Sequence, residues 1–368
     1  MKVPPLDLAA QFELVGKEIE AGVAAVMATH AYCNGPAVRE LEAQMAAYCG
    51  CVAGVGVSSG TDALLCSLMA LEIGPGDEVI TTPFTFFGTA GAVWRVGARP
   101  VFVDIVPDTF HIDPDRIEAA ITERTRAILP VHLYGQMADM EAVMAVAGRH
   151  GLAVIEDCAQ AIGAVGRGRK AGSVGTAGCL SFYPTKTLGA MGDAGMIVTR
   201  DEDLAARMSA IRLHGETERY YHRYVGGNFR MDSIQAAALT VKLGYLDRWI
   251  QRRQAHAARY GELLAGVEGV VTPAVRPENV HTFNYYVVRV PGRRDELRAH
   301  LAAHDIATAI YYPLSLHQQE CFRSLGHAAG DFPESERAAA ETLALPMFPE
   351  LTDEQIAHVA GTISDFLA

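Results

Sequence analysis

The sequence predicts an α/β protein: a large domain built on a mostly parallel seven-stranded sheet, then a small C-terminal α/β domain. Three observations predict it. Short apolar, β-branched runs alternate with longer amphipathic stretches through the first two-thirds of the 368-residue chain, the mark of crossover units around a buried sheet. That alternation changes character after about residue 235. Half the residues are apolar (50%) and a fifth are charged (20%), near the globular average for a chain long enough to bury a large core.

Taken in order, the strand runs are Val52–Val57, Glu78–Thr81, Val101–Asp104, Ala127–Val131, Ala153–Glu156, Cys179–Phe182 and Met196–Thr199. Between them, Met140, Val143, Met144 and Ala147 recur at helical spacing. Ile234–Tyr260 is expected as one long helix, with Ile234, Ala237, Ala238, Val241, Leu243 and Leu246 on its apolar face. A strand at Asn284–Val290, a helix at Arg294–His304 and a strand at Thr308–Tyr312 follow. Helices around Glu334–Leu343 and Thr352–Phe366 close the chain. The expected division is 1–235 for the large domain and 236–368 for the long helix and small domain.

Lys plus Arg is 31 and Asp plus Glu is 43, a net charge of −12. This argues against a nucleic-acid footprint or a polybasic hold on membrane, while leaving room for a local basic pocket. The seven cysteines include no CxxC pair, so neither a disulfide framework nor a zinc knuckle is signalled. The opening MKVPPLDLAAQFE lacks the apolar run of a secretory signal. No stretch nears the ~18 apolar residues of a membrane span. A reduced, cytoplasmic protein without a metal is the expectation.

Three segments carry candidate chemistry. In Val52–Leu65 a strand runs through a Ser/Gly turn into a helix, whose first N–H groups could hold a phosphate. A plain helix cap by Ser59 or Thr61 is the other reading. A dinucleotide fingerprint begins at Gly54-x-Gly56 but meets Ser59 where its third glycine belongs. In Val154–Gln160 a strand ends in Glu156-Asp157; Asp157 there could ligate metal, cap a helix or pair with a cofactor nitrogen. In Cys179–Gly195 a strand leads to Lys186, with Gly189, Gly192, Asp193 and Gly195 behind it. Most lysines are solvated, and that is the other reading here, but one beside a strand end in an apolar, glycine-rich segment would have a lowered pKa and could act as an amine nucleophile. Phosphate cup, strand-end carboxylate and then lysine is the order used by pyridoxal phosphate enzymes.

From end to end the chain resembles the DegT/DnrJ/EryC1/StrS family of nucleotide-sugar aminotransferases, within the fold type I pyridoxal phosphate enzymes. The matching blocks are Gly35-Pro36 with Glu40, SSGTDAL at 58–64, GPGDEVI at 74–80 and TPFTF at 82–86. They continue as PVHLYGQ at 130–136, IEDCAQ at 155–160, SFYPTKTLG at 181–189, GGNFRMDSIQAA at 226–237 and YYPLSLHQQ at 311–319. The resemblance implies pyridoxal 5'-phosphate as cofactor, Lys186 as the Schiff-base lysine and proton shuttle, and Asp157 on the pyridine nitrogen. It implies Gln160 near the phenolic oxygen, Phe86 stacked on the ring, and Gly60, Thr61 and Ser181 on the phosphate. Asn228 would reach the phosphate of a neighbouring subunit, which implies a homodimer with shared sites. Thr187 departs from the family, where Asn usually follows the lysine. A branch of the family with His at this position dehydrates its sugar; Lys186 favours transamination, although dehydrating relatives with lysine exist.

Residues 212–230 are the most basic stretch, with Arg212, Arg219, Arg223, Arg230, His214 and His222. Arginines suit a bidentate grip on diphosphate or carboxylate, and a solvated loop is the other reading. By resemblance Arg230 and His317 would face the substrate; Tyr183 and Tyr312 could flank the sugar, with plain packing as the other reading. The block from His214 to Ala237 looks closest to the branch that aminates C3 of UDP-linked 3-keto sugars, 2-acetamido-3-oxo-glucuronates included. A 4-keto-6-deoxy sugar is the alternative. Glutamate is the implied amino donor. An NAD-dependent oxidoreductase and a non-catalytic regulatory relative are the competing readings; the latter would be expected to lose Lys186 or Asp157.

Overall fold

The apolar runs pair into one sheet. A computed structural model describes residues 1–368, and each of its seven main strands overlaps an expected run. They are β1 (Ala53–Val57), β2 (Glu78–Thr81), β3 (Arg99–Phe102), β4 (Thr125–Ile128), β5 (Ala153–Asp157), β6 (Ala177–Ser181) and β7 (Gly195–Thr199). The order across the sheet is β1-β7-β6-β5-β4-β2-β3. Only β7 runs against its neighbours; the other pairings are parallel. The carboxyl ends of β1, β5 and β6 therefore share one edge, where such sheets place their ligands.

Successive strand residues face opposite sides, and both sides are apolar. Ile80, Ile128, Val154 and Leu180 enter a core shared with α2 (Pro36–Cys49) and the helix Met140–His150. Their neighbours Val79, Ala127, Ile155 and Cys179 enter the opposite core, beneath α3 (Gly60–Ala70), α4 (Phe87–Arg95) and the helix Glu202–Ile211. No helix is long and apolar enough to cross a membrane.

The C-terminal part centres on an antiparallel pair, Tyr286–Arg289 with Thr342–Leu345. The helices Arg294–Ala303 and Asp353–Leu367 contribute to its core, the latter closed by a Thr352–Gln355 capping box. Val3 belongs to the same core and bridges Ile306 in parallel, so the first residues, expected with the large domain, pack on the small one.

Three element expectations need correction. The long helix is two, Ser233–Leu243 and Leu246–Leu264, parted at Gly244-Tyr245 because glycine sustains helix poorly. Thr308–Tyr312 is no strand and contributes a single bridge, Ala309 to Ala344. The helix expected to reach Leu343 ends at Glu341, and Thr342–Leu345 is a strand whose partner lies more than 50 residues away in sequence.

Candidate active site

A cavity of about 590 Å³ opens at the shared strand edge. Gly60, Thr61, Phe86, Asp157, Gln160, Ser181, Tyr183, Lys186 and Tyr312 all line it. At its rim Ser59 caps α3: its hydroxyl accepts from Asp62 N–H and its carbonyl from Ala63 N–H, each at 3.0 Å. Ser59 thus leaves the amides of Gly60 and Thr61, at the positive end of the helix, unclaimed. A Cβ on Gly60 would sit 2.6 Å from Ser181 Cβ, and one on Gly195 would sit 2.4 Å from Ser59 carbonyl atoms. Glycine at both places lets the helix start rest directly on the ends of β6 and β7.

Gly54 and Gly56 serve a different purpose. Both lie within β1, and a Cβ on Gly54 would meet the Glu42 carbonyl of α2 at 2.6 Å. They permit helix-to-strand packing and form no phosphate loop, which removes the motive for a nicotinamide nucleotide.

Asp157 ends β5, nearly buried. Its Oδ2 accepts from the Thr89 hydroxyl at 2.8 Å and its Oδ1 from Ala159 N–H at 3.1 Å. Burial raises its carboxyl pKa, against the pull of Thr89, Ala159 and the Lys186 charge. Lys186 sits in a turn after β6, its N–H donating to Tyr183 O at 2.8 Å. Removal from water lowers its amine to about 8, and the Asp157 charge resists the fall. Gln160 accepts at Oε1 from Tyr134 N–H (2.7 Å) and donates from Nε2 to the Tyr312 hydroxyl (2.9 Å). The exposed Phe86 ring lies 6.0 Å from that of Tyr312.

Other expected residues lie outside the cavity. Arg230 bridges Val57 and exposed Asn228 bridges Leu213, beside the Ser58–Gly60 turn, where Ser58 N–H donates to Phe229 O at 2.9 Å. His317 is a correction: its fully buried side chain pairs with Glu336 at 3.1 Å and packs on Phe332, away from the cavity. Arg212 is another, since it is buried against Glu42 and the Gly56 carbonyl and unavailable to a substrate. The two remaining arginines of that stretch, Arg219 and Arg223, lie over the rings of Tyr220 and Tyr224.

A larger cavity of about 780 Å³ lies elsewhere, lined by Arg167, Arg276 and Asp139 among others but by none of the expected residues. Those arginines are engaged, Arg167 with Glu141 at 2.8 Å and Arg276 with Asp108 at 3.3 Å. His132, Glu156 and Cys158 bring metal-ligating atoms within 4.8 Å of one another. Glu156, however, already accepts from His132 and from the amides of Gly172, Val174 and Gly175, so its carboxylate has no lone pair left for an ion.

Sequence reasoning missed Thr85, Thr89, Tyr285 and Tyr311, which also line the site. A signal existed for Thr89: it follows Phe86 by three residues on the first turn of α4, hence on the same face.

The model of the DegT/DnrJ/EryC1/StrS aminotransferase family matches residues 13–364. The chain belongs to this family. A "Pleiotropic regulatory protein" of Geobacillus stearothermophilus is 53% identical over 100% of this chain and 99% of its own. A UDP-N-acetyl-3-dehydro-alpha-D-glucosamine 3-aminotransferase of Acidithiobacillus ferrooxidans is 45% identical over 98% of this chain and 97% of its own. Among solved structures, S. venezuelae DesV in complex with a ketimine intermediate superposes with a TM-score of 0.97 at 42% identity, covering 100% and 98% of the two chains. The chain is a pyridoxal phosphate-dependent sugar aminotransferase.

The residues present fit that cofactor. Unclaimed amides at a helix start suit its phosphate, a buried carboxylate suits its ring nitrogen, and a partly desolvated amine suits its aldehyde.

Proposed function

We propose that Lys186 and Asp157 carry catalysis in the amination of C3 on a nucleotide-linked 3-keto sugar, UDP-linked in the first instance, with glutamate as donor. The observation that carries this reading is the convergence of Lys186, Asp157 and the Gly60–Thr61 helix start on one cavity. The C3 position is supported by the likeness to the A. ferrooxidans enzyme named for that reaction.

In this reading Gly60, Thr61 and Ser181 hold the cofactor phosphate, Asp157 pairs with the ring nitrogen, Gln160 meets the phenolic oxygen and Phe86 covers the ring. The bound cofactor supplies an aldehyde and an electron-withdrawing ring. The chain does the rest. Asp157 keeps a proton on the ring nitrogen, because its charge lies in a dry site where Thr89 and Ala159 orient it. Lys186, with an amine poised at about 8, takes a proton from the donor carbon and returns one to the sugar carbon. Tyr183 and Tyr312 flank the sugar. Asn228 and Arg230, exposed and partly exposed at the surface beside the Ser58–Gly60 turn, serve the site of a second copy in a homodimer. The regulatory name of the G. stearothermophilus relative does not displace this reading, since Lys186 and Asp157 both stand in the cavity. Seven unpaired cysteines are in keeping with a reducing, cytoplasmic setting.

Turnover of UDP- and dTDP-linked 3-keto and 4-keto sugars with glutamate tests the proposal. UDP-linked 3-keto substrate should have the highest kcat/KM. Preference for a 4-keto-6-deoxy sugar would overturn the C3 assignment.

A further inference from the structure

The turn that presents Lys186 is held from outside the sheet. Thr187 donates from its N–H and from its Oγ1 to the same oxygen, Oδ1 of Asn284, each at 3.1 Å. Both residues are buried, at 2% exposure. Farther along the turn, Lys242 Nζ donates to the Gly189 carbonyl at 2.8 Å. The turn folds closely on itself: a Cβ on Gly189 would stand 2.3 Å from the Pro184 oxygen. Ala190 N–H returns to Phe182 O at 2.8 Å.

The main chain at Asn284 is itself held, while the side-chain Nδ2 is buried without a partner. Fully buried Arg253 donates to the carbonyls of Phe283 at 3.1 Å, Asn284 at 3.4 Å and Met347 at 2.8 Å. Thr282 N–H donates to Gly135 O at 2.8 Å. A hydrogen-bonded path thus runs from the helix Leu246–Leu264 through Asn284 into the residue after Lys186. Thr187 is also where the sequence departs from its family's usual asparagine. A threonine hydroxyl beside a backbone N–H makes two donors side by side, and a single amide oxygen satisfies both.

We propose that Asn284 is a positioning residue for Lys186, its side-chain oxygen fixing the turn that carries the amine into the cavity. The inference rests on the reading of Lys186 as the cofactor-binding amine. Loss of the Asn284 oxygen would leave a buried N–H and hydroxyl unpaired, and the turn would relax toward solvent. A better-solvated amine holds its proton to higher pH, and a displacement of about 1 Å costs on the order of 10²-fold in rate.

The test uses the whole 368-residue chain as Asn284→Ala, Thr187→Val, Thr187→Ser and Lys186→Ala, stripped of cofactor for the capture measurement and loaded with pyridoxal phosphate for turnover. The readouts are the pH midpoint of pyridoxal phosphate capture by absorbance, kcat against sugar KM, and Tm. Asn284→Ala should raise the midpoint by roughly one pH unit and lower kcat on the order of 10- to 100-fold, with sugar KM little changed. Thr187→Val should shift in the same direction, and Thr187→Ser should behave as the unsubstituted chain. An unmoved midpoint and kcat, with only Tm reduced, would overturn the proposal. Should Asn284→Ala fail to fold, the Val and Ser variants decide alone, and equal midpoints overturn it. Covalent capture retained by Lys186→Ala would instead overturn the reading of the lysine beneath it.

Discussion

Glu156 Oε2 accepts from His132 Nε2 at 2.8 Å, and both side chains are fully buried. His132 Nδ1 accepts Ala138 N–H at 3.2 Å, which places the ring proton on Nε2, toward Glu156. His132 N–H in turn donates to Asp157 O at 3.0 Å. The pair therefore sits directly behind the strand end that delivers Asp157, and Glu156 pins the 172–175 loop to it through three amides.

Stability should depend on Glu156. Burial alone would raise its carboxyl pKa, but the His132 contact and the Gly175 and Gly172 amides hold it below its usual value. Its contribution is thus present above the unfolded pKa near 4.5 and is lost as pH falls through the lowered folded value. Glu156→Ala, which strands buried donors, should cost about 3–5 kcal/mol at neutral pH. Urea unfolding at several pH values checks this, and the difference from the unsubstituted chain should shrink in acid.

Asp157 should show the opposite balance. Its folded carboxyl pKa is raised by burial, so the folded state binds the proton more readily than the unfolded one. Stability is then lost as pH rises above the unfolded value near 3.8. Asp157→Asn should leave the cofactor-free protein as stable or more so at pH 7, while lowering kcat on the order of 10²- to 10³-fold. Thermal melts and steady-state rates on the same preparations separate the two effects.

Lys186 sets a pH dependence. The nucleophile is the neutral amine, so capture of pyridoxal phosphate by the cofactor-free protein should accelerate with rising pH. Its midpoint should lie near 8, where the buried amine titrates. An ordinary lysine would place it more than two units higher. Stopped-flow absorbance across pH 6–10 reads it.

The proposed homodimer makes a further prediction. If Asn228 serves the partner's phosphate, Lys186→Ala and Asn228→Ala chains mixed in one dimer form one doubly damaged site and one intact site. Co-expression should yield activity above either parent dimer, measured as turnover per mixed dimer isolated with two affinity tags.

Much of this was legible in the sequence, for identifiable reasons. Strand runs such as Ala153–Glu156 are apolar on both faces and bounded by turns, and a buried parallel sheet imposes that pattern. Asp157 and Ser181 end strands, Gly60 and Thr61 start a helix and Lys186 lies in the turn that follows β6, so their convergence follows from topology. What escaped depends on contacts between distant segments. Thr342–Leu345 follows an alanine-rich helix without a turn residue, and only pairing with Tyr286–Arg289 makes it a strand. Asn284 meets Thr187 across 97 positions. His317 belongs to a matching block, yet its neighbours Glu336 and Phe332 draw it into packing.

The most direct test is reduction with borohydride. The protein loaded with pyridoxal phosphate should be yellow, and reduction should fix the cofactor on one lysine. Peptide mass mapping should find it on the peptide containing Lys186 and nowhere else. Label on another lysine, or none at all, would contradict the central claim.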